Sequence, residues 1–295
     1  MNEPELLITD SRSALVGELS VRRALPTRGR RTVGAWCFID HMGPATLSPD
    51  NLFGVAPHPH IGLQTVTWLL DGALVHRDSL GSEQLIRPGQ LNLMTSGAGI
   101  VHSEENPGLI AGELHGAQLW VAQPASTRDG DAAFEHHSDV PRFELTNGEG
   151  VVLVGSFNDV RSPARHDSDL VGLELTLRRG ENAIPLEPIF EYAMVVIRGA
   201  LSTGGETIEP GHLAYFGRGR DEINLSAIED SVALLLGGVP FEESIVMWWN
   251  FVARSQEEIS SAYESWAKSD ERFGRVDSKL SRIEVGAPPW FRLNR

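Results

Sequence analysis

The sequence predicts an all-β protein made of two β-barrels, or two β-sandwiches of the jelly-roll type, and three observations carry this prediction. The chain has 295 residues, and 30 glycines and 17 prolines divide it at short intervals. Between them lie short runs of period-two alternation, such as TVTWLL at 65–70 and QLNLM at 90–94, which is typical of strands. The third observation is an internal repeat.

The two halves of the chain resemble each other. Two pairs of segments align: LLDGALV (69–75) with VIRGALS (196–202), and IRPGQLNLMTSG (86–97) with IEPGHLAYFGRG (208–219). A repeat of this size indicates one domain design used twice. The polar, turn-rich segment at 126–150 separates the copies, so we predict an N-terminal barrel over 1–135 and a C-terminal barrel within 136–295.

One helix is predicted late in the chain, at about 255–272. It opens with Ser255 and Glu258 in the spacing of a capping box. Apolar residues then recur at helical spacing, namely Ile259, Ala262, Tyr263 and Trp266. Gly274 provides a stop signal.

Composition excludes several classes of function. The net charge of −15 repels phosphate backbones, so direct nucleic-acid binding is not expected. No apolar run approaches the ~18 residues that span a bilayer, and the N-terminus has no secretion-signal pattern. Cys37 is the single cysteine, which rules out an intramolecular disulfide and a cysteine-built zinc site. These features together predict a cytoplasmic protein.

Two short pairs of residues carry the candidate chemistry. His58 and His60 in GVAPHPHIG are two apart, and so are His102 and Glu104 in GAGIVHSEEN. On strands, residues two apart point to the same face, so each pair converges if that face looks into a barrel. Three imidazoles and a carboxylate suit Fe(II), Mn(II), Ni(II), Cu(II) or Zn(II). Four protein ligands leave two octahedral positions open for a substrate and dioxygen.

The internal repeat serves as a control for this site. The positions equivalent to the four candidate ligands in the second half are Pro185, Glu187, Asn224 and Ser226. The fold therefore does not require the ligand types, and their presence in one copy indicates function there. We expect the C-terminal barrel to hold no metal.

Residues 53–104 resemble the pirin family of the cupin superfamily. The resemblance runs through the HPH segment, HRDSLG, PGQLNLMTSG and GIVHSE, and it extends to WCFIDHMGPA at 36–45 and HGAQLWVA at 115–122. It covers most of 20–124 strongly and the second half more loosely. The resemblance implies a bicupin of two stacked barrels, with one metal in the N-terminal barrel and none in the C-terminal barrel.

The same resemblance implies a function. It assigns the metal ligands to His58, His60, His102 and Glu104. Bacterial pirins of this kind are associated with the 2,3-dioxygenase cleavage of quercetin, so a small aromatic substrate and O2 are the expected partners. Fe(II) is the expected metal, with Mn, Ni, Cu, Co and Zn as alternatives. Glu104 is also the candidate catalytic base. Gln64 departs from the family, because many cupins and pirins carry Glu there.

Two other classes of function stay open. Eukaryotic pirins suggest a non-enzymatic, iron-dependent regulatory or redox-sensing protein. A cupin isomerase or hydrolase would use the metal only as a Lewis acid. Dependence on dioxygen separates the dioxygenase from the isomerase or hydrolase, and metal-dependent partner binding without turnover would favour the regulator.

Several neighbours of the site admit two interpretations. Four apolar residues either line a flat aromatic pocket or pack in the core: Trp36, Phe38, Phe53 and Met94. His115 is either a residue that orients a ligand or a structural histidine. Asp78 is expected to order the HRDSLG turn. Trp248 and Trp249 are expected to seal the C-terminal segment against a barrel.

Overall fold

The structure is a computed structural model that describes residues 6–17, 19–47, 54–108 and 112–291. Phe53 lies outside these residues. The strands of the first half and its N-terminal extension are β1 (Leu7–Asp10), β2 (Arg12–Val16), β3 (Leu19–Leu25), β4 (Trp36–Leu47), β5 (Gly54–His60), β6 (Leu63–Asp71), β7 (Leu74–Asp78), β8 (Glu83–Ile86), β9 (Leu91–Thr95), β10 (Ile100–Glu105), β11 (Gly112–Ala122) and β12 (Ala133–His137). The later strands are β13 (Arg142–Leu145), β14 (Gly148–Phe157), β15 (Val160–Arg161), β16 (Leu170–Leu177), β17 (Gly180–Pro185), β18 (Glu191–Arg198), β19 (Leu201–Thr203), β20 (Glu206–Ile208), β21 (His212–Gly217), β22 (Glu222–Ala227), β23 (Ser231–Gly238), β24 (Val246–Trp248) and β25 (Phe251–Ala253).

The strands form two barrels, each built from a large and a small sheet. In the first barrel the large sheet runs β12-β9-β6-β11-β4-β3-β2 and the small sheet runs β5-β10-β7-β8. In the second, the large sheet runs β1-β21-β18-β23-β16-β14-β13, with β15 on β14, and the small sheet runs β17-β22-β19-β20. Every described pairing between these strands is antiparallel, as in jelly rolls. The all-β bicupin prediction is confirmed.

The two large sheets pack face to face and form the core between the barrels. Along β6, Val66 and Trp68 join this core, because successive strand residues point to opposite faces. Trp36 also lies here, and its Nε1 donates to the carbonyl of Val171 on the second barrel at 3.1 Å. Trp68 Nε1 donates to a carboxylate oxygen of Glu174 across the same interface. Central strands of the large sheets, such as β6, β9 and β16, are therefore buried on both faces.

The interior of the second barrel is filled by apolar side chains. They include Leu173, Leu175, Met194, Phe216 and Leu235, all buried. The small-sheet pair β17–β22 corresponds to β5–β10, and it carries three of the four positions that the repeat aligned with the candidate ligands: Pro185 ends β17, and Asn224 and Ser226 lie on β22. The fourth, Glu187, follows the end of β17. None of Pro185, Asn224 and Ser226 supplies an imidazole or a carboxylate, so the three positions lack the ligand types of the first barrel.

Segments at both ends of the chain cross between the barrels. β1 pairs with β21 and so extends the large sheet of the second barrel, although it belongs to the N-terminal half. After the second barrel, the chain returns to pack Phe251 and Trp266 against Ile61 and Val101 of the first barrel. The division of the chain at residue 135 stays a prediction.

The helix α1 spans Gln256–Lys268, with Ser255 as its N-cap. The Ser255 side chain accepts from the backbone N–H of Glu258 at 3.2 Å, as the capping-box pattern predicts. The predicted end at 272 and the stop at Gly274 were wrong. Ser269 adopts the left-handed conformation and its backbone N–H caps the last turn, so the helix ends earlier. Within the described residues, no helix is long and apolar enough to cross a membrane.

Candidate metal centre

Three histidines of the small sheet converge inside the first barrel. The antiparallel pairing of β5 with β10 sets His102 opposite His58, and His60 shares the face of His58. The ring centroids are 4.4 Å apart for His58 and His102, and 5.0 Å apart for His60 and His102. One nitrogen from each ring lies within 4.8 Å of the other two. The three histidines therefore lie together in the barrel, as their spacing predicts.

Hydrogen bonds fix the tautomer of two of these rings. His58 Nδ1 lies 2.8 Å from the carbonyl of Ala56, and His60 Nδ1 lies 3.0 Å from the carbonyl of Asn250. A carbonyl oxygen only accepts, so in both rings the proton is on Nδ1. Nε2 therefore presents a lone pair to the centre of the cluster.

His102 is oriented by a chain of side chains. Its Nδ1 lies 3.4 Å from His76 Nδ1, and His76 Nε2 donates to Asp78 Oδ2 at 3.0 Å. A proton on His102 Nδ1 satisfies this contact, since His76 directs its own Nε2 proton to Asp78, and it leaves His102 Nε2 unprotonated. Asp78 is held in turn by the backbone N–H groups of Leu80 and Ser82. Asp78 therefore orders the turn, as predicted, and through His76 it also orients the candidate ligand His102.

The resulting donor set fits a metal ion. The Nε2 atoms of His60 and His102 are 3.1 Å apart, and both present lone pairs. Two nitrogens bound at right angles to one metal, at metal–nitrogen distances near 2.1 Å, would lie about 3.0 Å apart. Without a cation between them, the two lone pairs would repel each other.

Burial keeps the cluster neutral. It lowers the pKa of His58 to about 4, and it holds the pKa values of His60 and His102 well below the ordinary range, with the neighbouring histidines reinforcing the effect. Neutral imidazole is the form that binds metals, so no proton has to be displaced near neutral pH.

Glu104 lies on the wall of the same cavity. The β5–β10 register shifts between His102 and Glu104, and Glu104 Oε1 accepts a hydrogen bond from Thr67 Oγ1 at 3.1 Å. Burial raises the pKa of Glu104, while His76 and Thr67 act in the opposite direction. Its role as a metal ligand stays a prediction, because the group of described residues whose ligand atoms lie within 4.8 Å of one another here consists of the three histidines and does not include Glu104.

The cavity beside the histidines has a volume of about 430 Å³ and one aromatic wall. Phe38 stacks on Trp120 with ring centroids 3.9 Å apart and an interplanar angle of 12°. Trp120 meets His60 edge to face at 5.1 Å. Trp248 and Trp249 also line the cavity, in addition to packing the C-terminal segment against the barrel. A flat aromatic ligand fits such walls.

The other residues that the sequence placed near the site lie outside the lining of this cavity. Trp36 and Met94 are core residues, fully buried or nearly so, and the cavity lining does not include them. His115 bonds to His41, with their Nε2 atoms 2.8 Å apart, so it is a structural histidine of another cluster. Gln64 donates from Nε2 to Thr95 Oγ1 at 3.0 Å, and it is not part of the cavity lining.

A second group of potential ligands surrounds His115. Asp71, Glu113 and His115 bring ligand atoms within 4.8 Å of one another. However, Arg198 Nη2 donates to Asp71 Oδ2 at 2.9 Å and lies 3.3 Å from His115 Nδ1. The guanidinium of Arg198 therefore already supplies, beside Asp71 and His115, the positive charge that a metal ion would bring.

Sequence reasoning missed three contributors to the site. His76 had a detectable signal, since His76 and Asp78 are two apart on β7, which pairs with β10. The only sequence signal for Thr67 was its place in a strand with period-two alternation. Asn250 had none, because it acts through its backbone carbonyl from 190 positions away.

The fold and the site together define a bicupin protein with a candidate metal centre in its first barrel. The pirin family model matches residues 18–121, and the model of the pirin C-terminal cupin domain matches residues 172–274. The chain belongs to the pirin family.

Individual relatives agree with this assignment. A Pseudomonas aeruginosa protein provisionally named as a quercetin 2,3-dioxygenase is 44% identical over 96% of this chain and 89% of its own length. A pirin-like protein of Caulobacter vibrioides is 35% identical over 95% of this chain and 96% of its own. The crystal structure of a quercetin 2,3-dioxygenase from Acinetobacter baumannii superposes with a TM-score of 0.94 at 41% identity, covering 98% of this chain and 97% of that one.

Proposed function

We propose that this protein is a metal-dependent dioxygenase that cleaves a flavonol such as quercetin with O2. The observation that carries the proposal is the convergence of three neutral imidazoles, each with Nε2 unprotonated, on a cavity with an aromatic wall. The names of the relatives from Pseudomonas and Acinetobacter support the choice of quercetin. The predicted N-terminal domain, residues 1–135, would hold the single metal.

The proposed ligands are His58, His60, His102 and Glu104. Imidazole and carboxylate together suit a divalent first-row ion, with Fe(II) as our first choice and Mn, Ni, Cu, Co or Zn as alternatives. When bound, the metal would act as a Lewis acid that lowers the pKa of the flavonol 3-hydroxyl and would offer open positions to ligands.

The residues of the chain would do the rest of the work. The stacked pair of Phe38 and Trp120 would provide an aromatic wall against which the flavonol rings pack, with Arg23 covering the other face of Phe38. Glu104 is the proposed general base, because its carboxylate faces the cavity and Thr67 holds one of its oxygens, leaving the other to accept the 3-hydroxyl proton. The apolar lining limits access of water to the activated substrate. Cleavage places both atoms of O2 in the depside product and releases one ring carbon as carbon monoxide.

The test is an aerobic assay of quercetin loss with dioxygen uptake measured in parallel. Metal-stripped protein is reloaded with each candidate ion, and His58→Ala is compared with His212→Ala, a partly exposed histidine of the second barrel. We expect turnover that needs metal, O2 and His58, and that survives His212→Ala.

Three outcomes would contradict parts of the proposal. Metal binding without turnover in every loaded form would favour the regulatory class, and turnover without O2 consumption would favour the isomerase or hydrolase. Unchanged turnover in a metal-retaining Glu104→Gln protein would remove the base assignment. Failure to bind any metal would remove the site.

A further inference from the structure

Two arginines lie opposite each other on the wall of the cavity. The antiparallel pairing of β2 with β3 sets Arg12 directly opposite Arg23, and both residues line the cavity beside the histidines. Side chains that are directly opposite each other lie on the same face of a sheet, and like charges in such a pair repel each other. The fold therefore holds two guanidinium groups together at one end of the cavity, although their repulsion is destabilising.

One carboxylate faces these two guanidinium groups. Arg23 donates from Nε and Nη2 to the two carboxylate oxygens of Asp40, at 2.7 and 2.6 Å. Arg12 acts on Asp40 electrostatically, but among the described residues it forms no salt bridge. Two guanidinium groups and one carboxylate leave one positive charge uncompensated at this end of the cavity, in a protein whose net charge is −15.

Both arginines keep N–H donors that a ligand can reach. Arg12 is exposed, and 18% of the Arg23 side chain is exposed. Within the part of the chain that the structure describes, Arg23 Nη1 forms no hydrogen bond, because Asp40 engages only Nε and Nη2. The Arg23 guanidinium also lies over the Phe38 ring, 4.3 Å from its centroid, so the basic end of the cavity joins its aromatic wall. Accessible guanidinium donors with an uncompensated positive charge are suited to binding an anion.

The two arginines lie far from the acidic group of the candidate metal centre. Thr67 of β6 holds Glu104, and the sheet order β6-β11-β4-β3 places β6 three strands away from β3. At about 4.8 Å per strand, ~14 Å of sheet separates the backbone of Thr67 from that of Arg23. Phe38 and Trp120 lie on the two strands in between. A ligand that reaches the histidines and packs on this aromatic pair therefore extends toward the arginines.

We propose that Arg12 and Arg23 form an anion subsite, and that the natural substrate carries a carboxylate at the end remote from the metal. This inference rests on the proposed function and narrows its substrate class to flavonols, or similar ring systems, that bear an acidic group. A guanidinium donates two parallel N–H groups to a carboxylate, which gives direction as well as affinity. Arg12 is the specificity-determining residue, because Asp40 does not engage its donors. Quercetin has hydroxyls and no carboxylate, so it would be an accepted analogue.

The experiment measures equilibrium binding rather than turnover. Zinc-loaded protein, which is redox-inert, is titrated without oxygen with 3-hydroxyflavones that carry a carboxylate at position 4′ or position 7, and with the matching carboxamides. Each carboxamide has nearly the same size as its carboxylate and differs in charge. Quenching of tryptophan fluorescence reports occupancy, because Trp120 lines the cavity. At low ionic strength and neutral pH, we expect one of the two carboxylates to bind about tenfold more tightly than its carboxamide. The preference should shrink in ~1 M salt, where the Debye length is about 3 Å.

Arg12→Gln removes the charge at an exposed position, so the preference for the carboxylate should fall to within about twofold. Arg12→Glu is the second variant, and it should reverse the preference in favour of the carboxamide, because like charges repel. Arg87→Gln is the matched control, since Arg87 is an exposed arginine of the same barrel that does not line the cavity. Its preference should equal that of the native protein.

Equal binding of carboxylate and carboxamide at both ring positions overturns the inference, and so does a preference that both Arg12 variants leave unchanged. Absence of binding by all four ligands also overturns it. The failure of the proposed function looks different, since it is the absence of O2-dependent quercetin loss in every metal-loaded form. A carboxylate preference that needs Arg12, together with absent turnover, would keep the anion subsite and contradict only the dioxygenase reaction.

Discussion

His76 touches no substrate in the proposed reaction, yet its replacement should weaken metal binding. It is the only side chain that the described residues place on His102 Nδ1, and it is itself fixed by Asp78. In His76→Ala, His102 is free to move its proton to Nε2, which would remove one of the three converging lone pairs.

The size of the effect follows from the length of the contact. Loss of such an outer partner typically costs 10–100-fold in metal affinity. The His102–His76 distance of 3.4 Å is longer than the 2.7–3.2 Å of a good hydrogen bond, so the lower end applies. We expect metal affinity to fall about tenfold, which corresponds to ~1.4 kcal/mol.

The assay is competition with a chromogenic chelator for zinc at pH 7. His136→Ala is the matched control, because His136 lies in the same barrel but bonds to Asn92 at 2.7 Å instead of to a candidate ligand. The substitution also removes the ring stack between His76 and Phe134, whose centroids are 4.2 Å apart. Far-UV circular dichroism shows whether the protein stays folded without it. Affinity within twofold of native in a folded His76→Ala protein would refute the tautomer argument.

Three further predictions concern stability, each measured by urea denaturation. Burial lowers the pKa of His41 to about 3, so between pH 6.5 and 3 the unfolded chain binds a proton that the folded chain does not, and the free energy of unfolding decreases as the pH is lowered through that window. Replacing His41 with Gln should remove about 2 kcal/mol of the stability loss between pH 7 and 5. An unchanged pH dependence of stability would contradict this. Ser255→Ala should cost about 1 kcal/mol, whereas Ser260→Ala at a partly exposed position in the helix interior should cost under about 0.5, and equal losses would refute the cap. Trp68→Phe removes the donor to buried Glu174 and should cost about 1–3 kcal/mol, and a loss below about 0.5 would show that this contact between the barrels contributes little.

The convergence of the candidate ligand histidines was predictable because strand geometry converts sequence spacing into direction. His58 and His60 share a face whatever the fold, and the repeat predicted which half carries the site. Their convergence with His102 additionally needed the β5–β10 register, which a sequence does not state but which an open barrel interior enforces.

The remaining features depend on contacts between distant segments. The tautomer of His60 is set by a backbone carbonyl, which leaves no trace in residue identity. Strand β1 could not be assigned to the second barrel, since LITD has no pattern that names a partner.

The candidate metal centre of the first barrel depends on a segment of chain that follows the second barrel. β24 and β25 form a hairpin whose two-residue turn is Trp249 and Asn250, and Trp249 has a φ of +53°. Glycine would adopt this conformation without strain, whereas a bulky residue there carries a cost of order 1 kcal/mol. The turn supplies the carbonyl that fixes the tautomer of His60, and the Trp249 ring lines the cavity. A glycine would keep the turn and lose the wall, so the strained tryptophan is explained by the two tasks that meet at this position.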